Sequence, residues 1–181
     1  MDKIGTRIVL TGSGGQGVIT AAIILAEAAA IHDEINAVQT QSYGPEARGG
    51  ATRADVIISE NPIRFPKVIN PHVLVCLTQE AYNKFMRIIR PGGLLITDAK
   101  FVKSAQKTDA RQIELDMYRA VIDKIGKPIV FNICMLGALV ELTGLVRADS
   151  IVKTLEDKIP RDFLPMNREA LELGRSLARA G

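Results

Sequence analysis

Residues 7–11 (RIVLT) form a short apolar run that breaks directly into GSGGQG at 12–17, and 18–31 then continue rich in Ala, Ile and Leu. An apolar strand feeding a helix through glycines is the opening unit of an α/β sheet with parallel strands buried on both faces. Strand patterns recur at 36–40, 52–59, 72–77 and 94–97, with weaker ones at 112–115 and 128–131. Helical patterns occupy 78–89, 117–125, 132–142, 148–158 and 166–179. Thr78 stands as N-cap of the first of these; Asn132 caps the third, which Gly144 ends. Residues 60–71 carry three prolines and read as an irregular connection; 99–110 are polar and give no assignment. The alternation predicts a single α/β domain, a mostly parallel sheet flanked by helices, with extra helices at the C-terminal end.

The chain of 181 residues shows no internal repeat or linker, and its 47% hydrophobic residues suffice for a core. A net charge of +3 with 4% aromatics and no Trp provides no footprint for nucleic acid. The N-terminus has no signal-peptide pattern, and 18–31 contains Glu27 and is too short to cross a bilayer. The expectation is a cytoplasmic protein without membrane contact. Cys76 and Cys134 lie far apart in apolar runs and read as reduced core thiols. His32 and His72 are the only histidines; both fall at the sheet edge away from the glycines and read as structural. No nucleophile–base pair, P-loop, zinc pattern or calcium loop can be assembled, so neither catalytic nor metal-ligating residues are assigned. Lys153, Lys158, Arg161, Arg168, Arg175 and Arg179 read as a solvated helical face.

Gly12, Gly14 and Gly17 keep the spacing G-x-G-x-x-G between strand and helix, the turn of a Rossmann-like unit. The first glycine would permit the turn, the second close approach of a phosphate, and the third helix packing, with the helix N-terminus attracting an anion. A dinucleotide site also needs an acidic residue ending the second strand. Gln39, Thr40, Gln41 and Ser42 stand there, while Asp33 and Glu34 fall at the opposite edge. Three readings remain: a dinucleotide site, a turn used only for packing, and an anion-binding turn for another ligand, which the missing carboxylate favours. Glu27 is the only charge in 18–31. This helix therefore lacks the polar stripe of a surface helix. Either later helices or a partner subunit must cover it, and the partner is the expectation favoured.

The loops after the strands should gather on one edge, bringing 12–17, 41–50, 78–80 and 98–100 together. The loop 41–50 reads QSYGPEARGG. Gly44, Gly49 and Gly50 can take positive φ, and Pro45 stiffens the bend. Arg48 can fork two donors onto a phosphate or carboxylate. Glu46 can orient Arg48, and Tyr43 offers a flat face with a hydroxyl. A surface turn with a merely structural Arg–Glu pair explains the same residues equally well.

GSGGQGVIT followed by SYGPEARGG resembles the gamma subunit of 2-oxoacid:ferredoxin oxidoreductases, and the match continues through VLVCLTQEAYNKF, PGGLLITD, NICMLGALVELTG and LPMNREALELG, nearly the whole chain. Within the family it looks most like the 2-oxoglutarate enzyme, with pyruvate and branched-chain versions close. The resemblance implies one gamma-type domain over 1–181. It implies oxidative decarboxylation of a 2-oxoacid to an acyl-CoA with reduction of ferredoxin, in a complex with alpha, beta and ferredoxin-like delta subunits. Thiamine diphosphate, magnesium and iron–sulfur clusters would then sit on those partners, since this chain lacks the thiamine diphosphate motif and cluster cysteines. This subunit would help bind coenzyme A and cover the active site. Carried over from the family motifs, the contact residues are Gly12, Ser13, Gly14, Gly15, Gln16 and Gly17, and Ser42, Tyr43, Gly44, Pro45, Glu46, Arg48, Gly49 and Gly50. The alternatives are a free-standing NAD(P)- or flavin-binding oxidoreductase and an interaction scaffold.

Overall fold

A computed structural model describes residues 5–41, 51–104 and 108–181. Six strands form one sheet: β1 (Thr6–Gly12), β2 (Asn36–Gln41), β3 (Thr52–Ser59), β4 (Val73–Cys76), β5 (Gly93–Asp98) and β6 (Ala110–Leu115), in the order β2-β3-β1-β4-β5-β6. β1, β4, β5 and β6 pair in parallel. β3 runs antiparallel to both β1 and β2. Five strands therefore point one way, as expected of a mostly parallel sheet, and β3 alone is reversed. The connection 42–51 explains the reversal: a parallel return needs a crossover of about a dozen residues or more, usually helical.

Alternating residues of β1 serve two cores. Ile8 and Leu10 join one cluster and Val9 the other, all three fully buried. This two-sided burial accounts for the unbroken apolar run at 7–11. One face of the sheet carries α1 (Val18–Glu27), α3 (Met117–Lys124), α4 (Phe131–Thr143), α5 (Ala148–Lys158) and α6 (Leu164–Ala180). The other carries α2 (Gln79–Phe85), the 3-10 turn Met86–Ile88 and the segment 60–71.

α4 is the hub of the thick side, buried without interruption from Phe131 to Val140. It meets α6 backbone to backbone. A Cβ on Gly137 would run into the Leu171 carbonyl, and one on Gly174 into the Cys134 carbonyl. α1 packs beneath α4 and α5. This corrects the expectation of a partner over α1, because the chain's own helices bury it. α1 closes in a single π-helical turn, Ala28–His32.

Two further expectations change. Residues 128–131 are not a strand: Pro128 opens a 3-10 turn, where its missing N–H costs nothing, and Phe131 already begins α4. Asn132 is consequently inside the helix rather than its cap, and its side chain is used elsewhere. Thr78 does cap α2, accepting from the Ala81 N–H at 3.2 Å. The arginines of the last helix are drawn into ion pairs, Arg175 and Arg179 both gripping Glu141 and Glu172.

Candidate functional site

The sheet's order reverses between β1 and β4, because the chain leaves β1 to build β2 and β3 on one side and β4 to build β5 and β6 on the other. The crevice outside the carboxyl ends of such a pair is where α/β sheets bind ligands. The glycine turn 12–17 lies at this point. Gln16 spans the crevice: its Oε1 accepts from the Ser13 N–H at 2.8 Å and its Nε2 donates to the Leu77 carbonyl at 3.4 Å.

Each glycine has a distinct reason. Gly12 ends β1, and a Cβ there would meet Gln16 Oε1 at 2.5 Å and Val18 Cγ2 at 2.9 Å. Its smallness admits the side chains that close the turn. Gly14 is exposed, and a Cβ there would touch nothing among the described residues within 4 Å. Gly15 has φ +88° and likewise meets none of them. Gly17 caps α1 with φ +71°, and a Cβ there would meet Asn132 Nδ2 at 2.5 Å. The last glycine thus packs against α4 rather than against a strand.

Asn132 Nδ2 donates to the Gly17 carbonyl at 3.2 Å, while its Oδ1 is buried with no partner among the described residues. A cavity of about 430 Å³ opens beside the turn between Gly15, Gly17, Thr20, Ile24, Ile133 and Phe163, among others. It is lined chiefly by apolar groups. A cavity of about 480 Å³ lies at the opposite edge, around Gly5, Ser59, His72 and Gly144, away from the turn. The open backbone of Gly14 and Gly15, at the positive end of α1, fits an anionic group such as a phosphate.

β2 ends on the same edge, so the loop that follows it starts there too. Ser42, Tyr43, Gly44, Pro45, Glu46, Arg48, Gly49 and Gly50 lie outside the described residues. The dinucleotide reading loses its geometry in the sheet. β3 stands between β1 and β2, so the end of the second strand is two strand spacings, about 10 Å, from the turn. Asp33 lies at the far edge and is otherwise engaged, accepting from the Arg147 N–H and Nε and from Ser150 Oγ. Burial pushes its pKa up, but the Ser150 and Arg147 bonds outweigh that and hold it below the usual range.

The histidines also keep to the far edge. His72 Nδ1 accepts from the Arg7 N–H at 3.0 Å, and His32 Nε2 lies 3.7 Å from Asp157. Cys76 and Cys134 are buried and free, and burial pushes both thiols up to about 12. Among the described residues no cluster of His, Cys, Asp or Glu could hold a metal ion, and no helix is long and apolar enough to cross a membrane.

Two charged features escaped the sequence reading. Asp98, at the end of β5, is fully buried; burial raises its pKa, opposed by bonds from the Tyr118 and Lys100 N–H groups. Arg53 and Asp55 form a bidentate pair at 2.6 and 2.9 Å on the thin side of the sheet. The R-x-D spacing within a strand was a usable signal, since residues two apart share a face.

The family model for pyruvate ferredoxin/flavodoxin oxidoreductase matches residues 7–177. A relative from Methanocaldococcus jannaschii, 2-oxoglutarate synthase subunit KorC, is 44% identical over 98% of this chain and 96% of its own. The solved gamma subunit of a keto/oxoacid ferredoxin oxidoreductase from Geobacter sulfurreducens superposes with a TM-score of 0.89 at 38% identity, covering 97% of this chain and 99% of that one. The 2-oxoglutarate:ferredoxin oxidoreductase from Magnetococcus marinus, solved with 2-oxoglutarate, coenzyme A and succinyl-CoA bound, shares the fold at a TM-score of 0.89 and 23% identity, over 99% of this chain and 32% of that longer one. With the matched model running from β1 into α6, this chain belongs to the pyruvate ferredoxin/flavodoxin oxidoreductase family.

Proposed function

We propose that the chain is the gamma subunit of a 2-oxoglutarate:ferredoxin oxidoreductase, forming one gamma-type domain over 1–181. The reaction is the oxidative decarboxylation of 2-oxoglutarate to succinyl-CoA with reduction of ferredoxin. The observation that carries this reading is the 44% identity to the M. jannaschii KorC subunit along nearly the full length of both chains. Alpha, beta and ferredoxin-like delta subunits would complete the enzyme, with thiamine diphosphate, magnesium and iron–sulfur clusters on those partners and ferredoxin reached through the complex. The buried, high-pKa thiols support placing the clusters on partner subunits. The cytoplasm would be the compartment.

Within the complex this subunit would contact coenzyme A and cover the active site. The turn from Gly12 to Gly17 supports that role through the open backbone of Gly14 and Gly15 beside the N-terminus of α1. Arg48 and its loop would supply the second contact, to an anionic group of coenzyme A or to a neighbouring subunit.

The test is co-production of this chain with the other subunits, followed by a panel of 2-oxoacids assayed for coenzyme A-dependent ferredoxin reduction. 2-Oxoglutarate should be the preferred substrate. Arg48→Ala should raise the KM for coenzyme A or weaken assembly while the isolated chain keeps its melting temperature. Preference for pyruvate or a branched-chain acid would reject the substrate, and an unaltered Arg48→Ala enzyme would reject the loop assignment.

A further inference from the structure

The two faces of the sheet are covered unequally. Five helices lie on one; on the other, the segment 60–71 crosses beside α2 with neither helix nor strand of its own. Yet this strap is tied down along its length. Asn36 Nδ2 donates to the Glu60 carbonyl at 3.2 Å, and Thr40 Oγ1 to the Pro66 carbonyl at 3.5 Å. At Val68 the Arg53–Asp55 pair closes on the backbone from both sides. Arg53 Nη2 donates to its carbonyl at 2.6 Å, and Asp55 Oδ2 accepts from its N–H at 3.2 Å.

The clamp buries Val68 to 1% exposure and turns its neighbours outward: Phe65 is 60% exposed and Ile69 62%. Arg64 just before Phe65, and Lys67 between the two, are exposed as well. The Arg53 guanidinium also lies 5.7 Å from the Phe85 ring centroid, which joins the strap to the end of α2 and so to the exposed Arg87. The charge balance differs between the faces. Several ion pairs lie on the helical side, as with Glu141, Arg175 and Arg179. Arg64, Lys67 and Arg87 take part in none of them.

A buried ion pair is a costly way to fix an irregular segment. Here it holds two large apolar side chains in water, with Arg64 and Lys67 beside them in the chain and in no ion pair among the described residues. We infer that strap 60–71 is a preformed docking surface for a protein partner that presents carboxylates around an apolar recess. Phe65 and Ile69 fill the recess, and Arg64 and Lys67 meet the acidic rim. Apolar anchors set the strength of such a contact, and rim charges set its salt dependence and partner choice. The surface needs little rearrangement to bind, because its backbone is already anchored. The inference goes beyond the enzyme assignment and requires no particular identity of the partner.

The experiment isolates the full-length tagged chain from producing cells with whatever assembly it forms, then compares hydroxyl-radical labelling of that assembly with the free chain. Phe65 and Ile69 should be shielded by a protein in the assembly and labelled in the free chain. Arg64→Glu with Lys67→Glu should weaken the association about tenfold or more, with the wild-type contact loosening as salt rises. The melting temperature of the free variant should not move. Equal labelling in both states overturns the proposal. So does a chain that isolates alone, a strap shielded by nucleic acid or a second copy of this chain, or an association indifferent to the charge reversals. Because the readout is shielding rather than turnover, a complex active on another 2-oxoacid would reject the substrate assignment and leave this result standing.

Discussion

Asn132 donates its side-chain amide to the carbonyl of Gly17 at 3.2 Å, linking the start of α4 to the start of α1 across 115 positions of sequence. The bond fixes the exit of the glycine turn from the opposite side of the crevice to Gln16. Gly17 is doubly constrained, by φ +71° and by the Asn132 side chain a Cβ would strike. Gly17→Ala should therefore lower stability by about 1–3 kcal/mol, read as a fall in melting temperature. Gly14→Ala, whose methyl would meet none of the described residues, should leave stability within about 0.5 kcal/mol and act only on ligand affinity. Equal melting temperatures for the two variants would refute this division of roles.

The helix interface at Gly137 and Gly174 is tighter still. An alanine at either position places its methyl on a carbonyl of the facing helix, which cannot fold away as a flexible side chain could. Gly174→Ala should cost about 1–3 kcal/mol or more in chemical denaturation. Full stability would mean that α4 and α6 can separate without penalty.

The strand pattern was legible because burial on both faces writes itself as apolar runs in β1 and β4 and in the second half of β3. The direction of β3 was not read, although the short connection 42–51 was a usable signal, being too short for a helical crossover. β6 was read short by Ala110 and Arg111, which on this edge strand add no alternating apolar pattern. Asn132 was misread because Asn before an apolar run is a sound N-cap signal, and the earlier start set by Pro128 took the position away. The cover on α1 had a visible clue in α4, which is apolar all round from Ile133 to Val140 and so had to be buried on every side. The glycine turn was placed correctly, since it depends only on a strand, a helix and the glycines between them.

Asp55 and Arg53 offer a test of the thin face. Their side chains are 10% and 21% exposed. Asp55→Ala leaves a half-buried guanidinium and an unbonded Val68 N–H, and should cost about 3–5 kcal/mol. Arg53→Met combined with Asp55→Ala should recover part of that loss, because no unpaired charge remains. A double variant no more stable than Asp55→Ala alone would contradict the ion-pair account.

Glu141 lies under hydrogen bonds from Arg179 and Arg175, which hold its carboxyl down at about 2 against an ordinary 4.5. A depressed acid stabilises the fold above its unfolded pKa, and that contribution is lost as pH falls through the folded value. Wild type should therefore lose stability between pH 4.5 and 2 more steeply than Glu141→Gln. Denaturant unfolding at several acidic pH values measures the difference; parallel slopes would show that the pair is spent on solvent.

Cys76 and Cys134 are inert by burial, their thiols standing near 12. A thiol reagent at pH 8 should label neither in the native chain and both after unfolding. Labelling at the native rate of a free thiol would place one of them at a surface.

The reversed β3 also limits what this scaffold can become. An acidic residue substituted at Gln41 would sit at the end of the second strand, as dinucleotide-binding proteins require, yet it would face an intervening strand rather than a ribose. An acidic residue at Gln41 alone would therefore not complete a dinucleotide site here. The inserted strand thus holds the end of β2 about two strand spacings from the glycine turn, whatever side chain stands there.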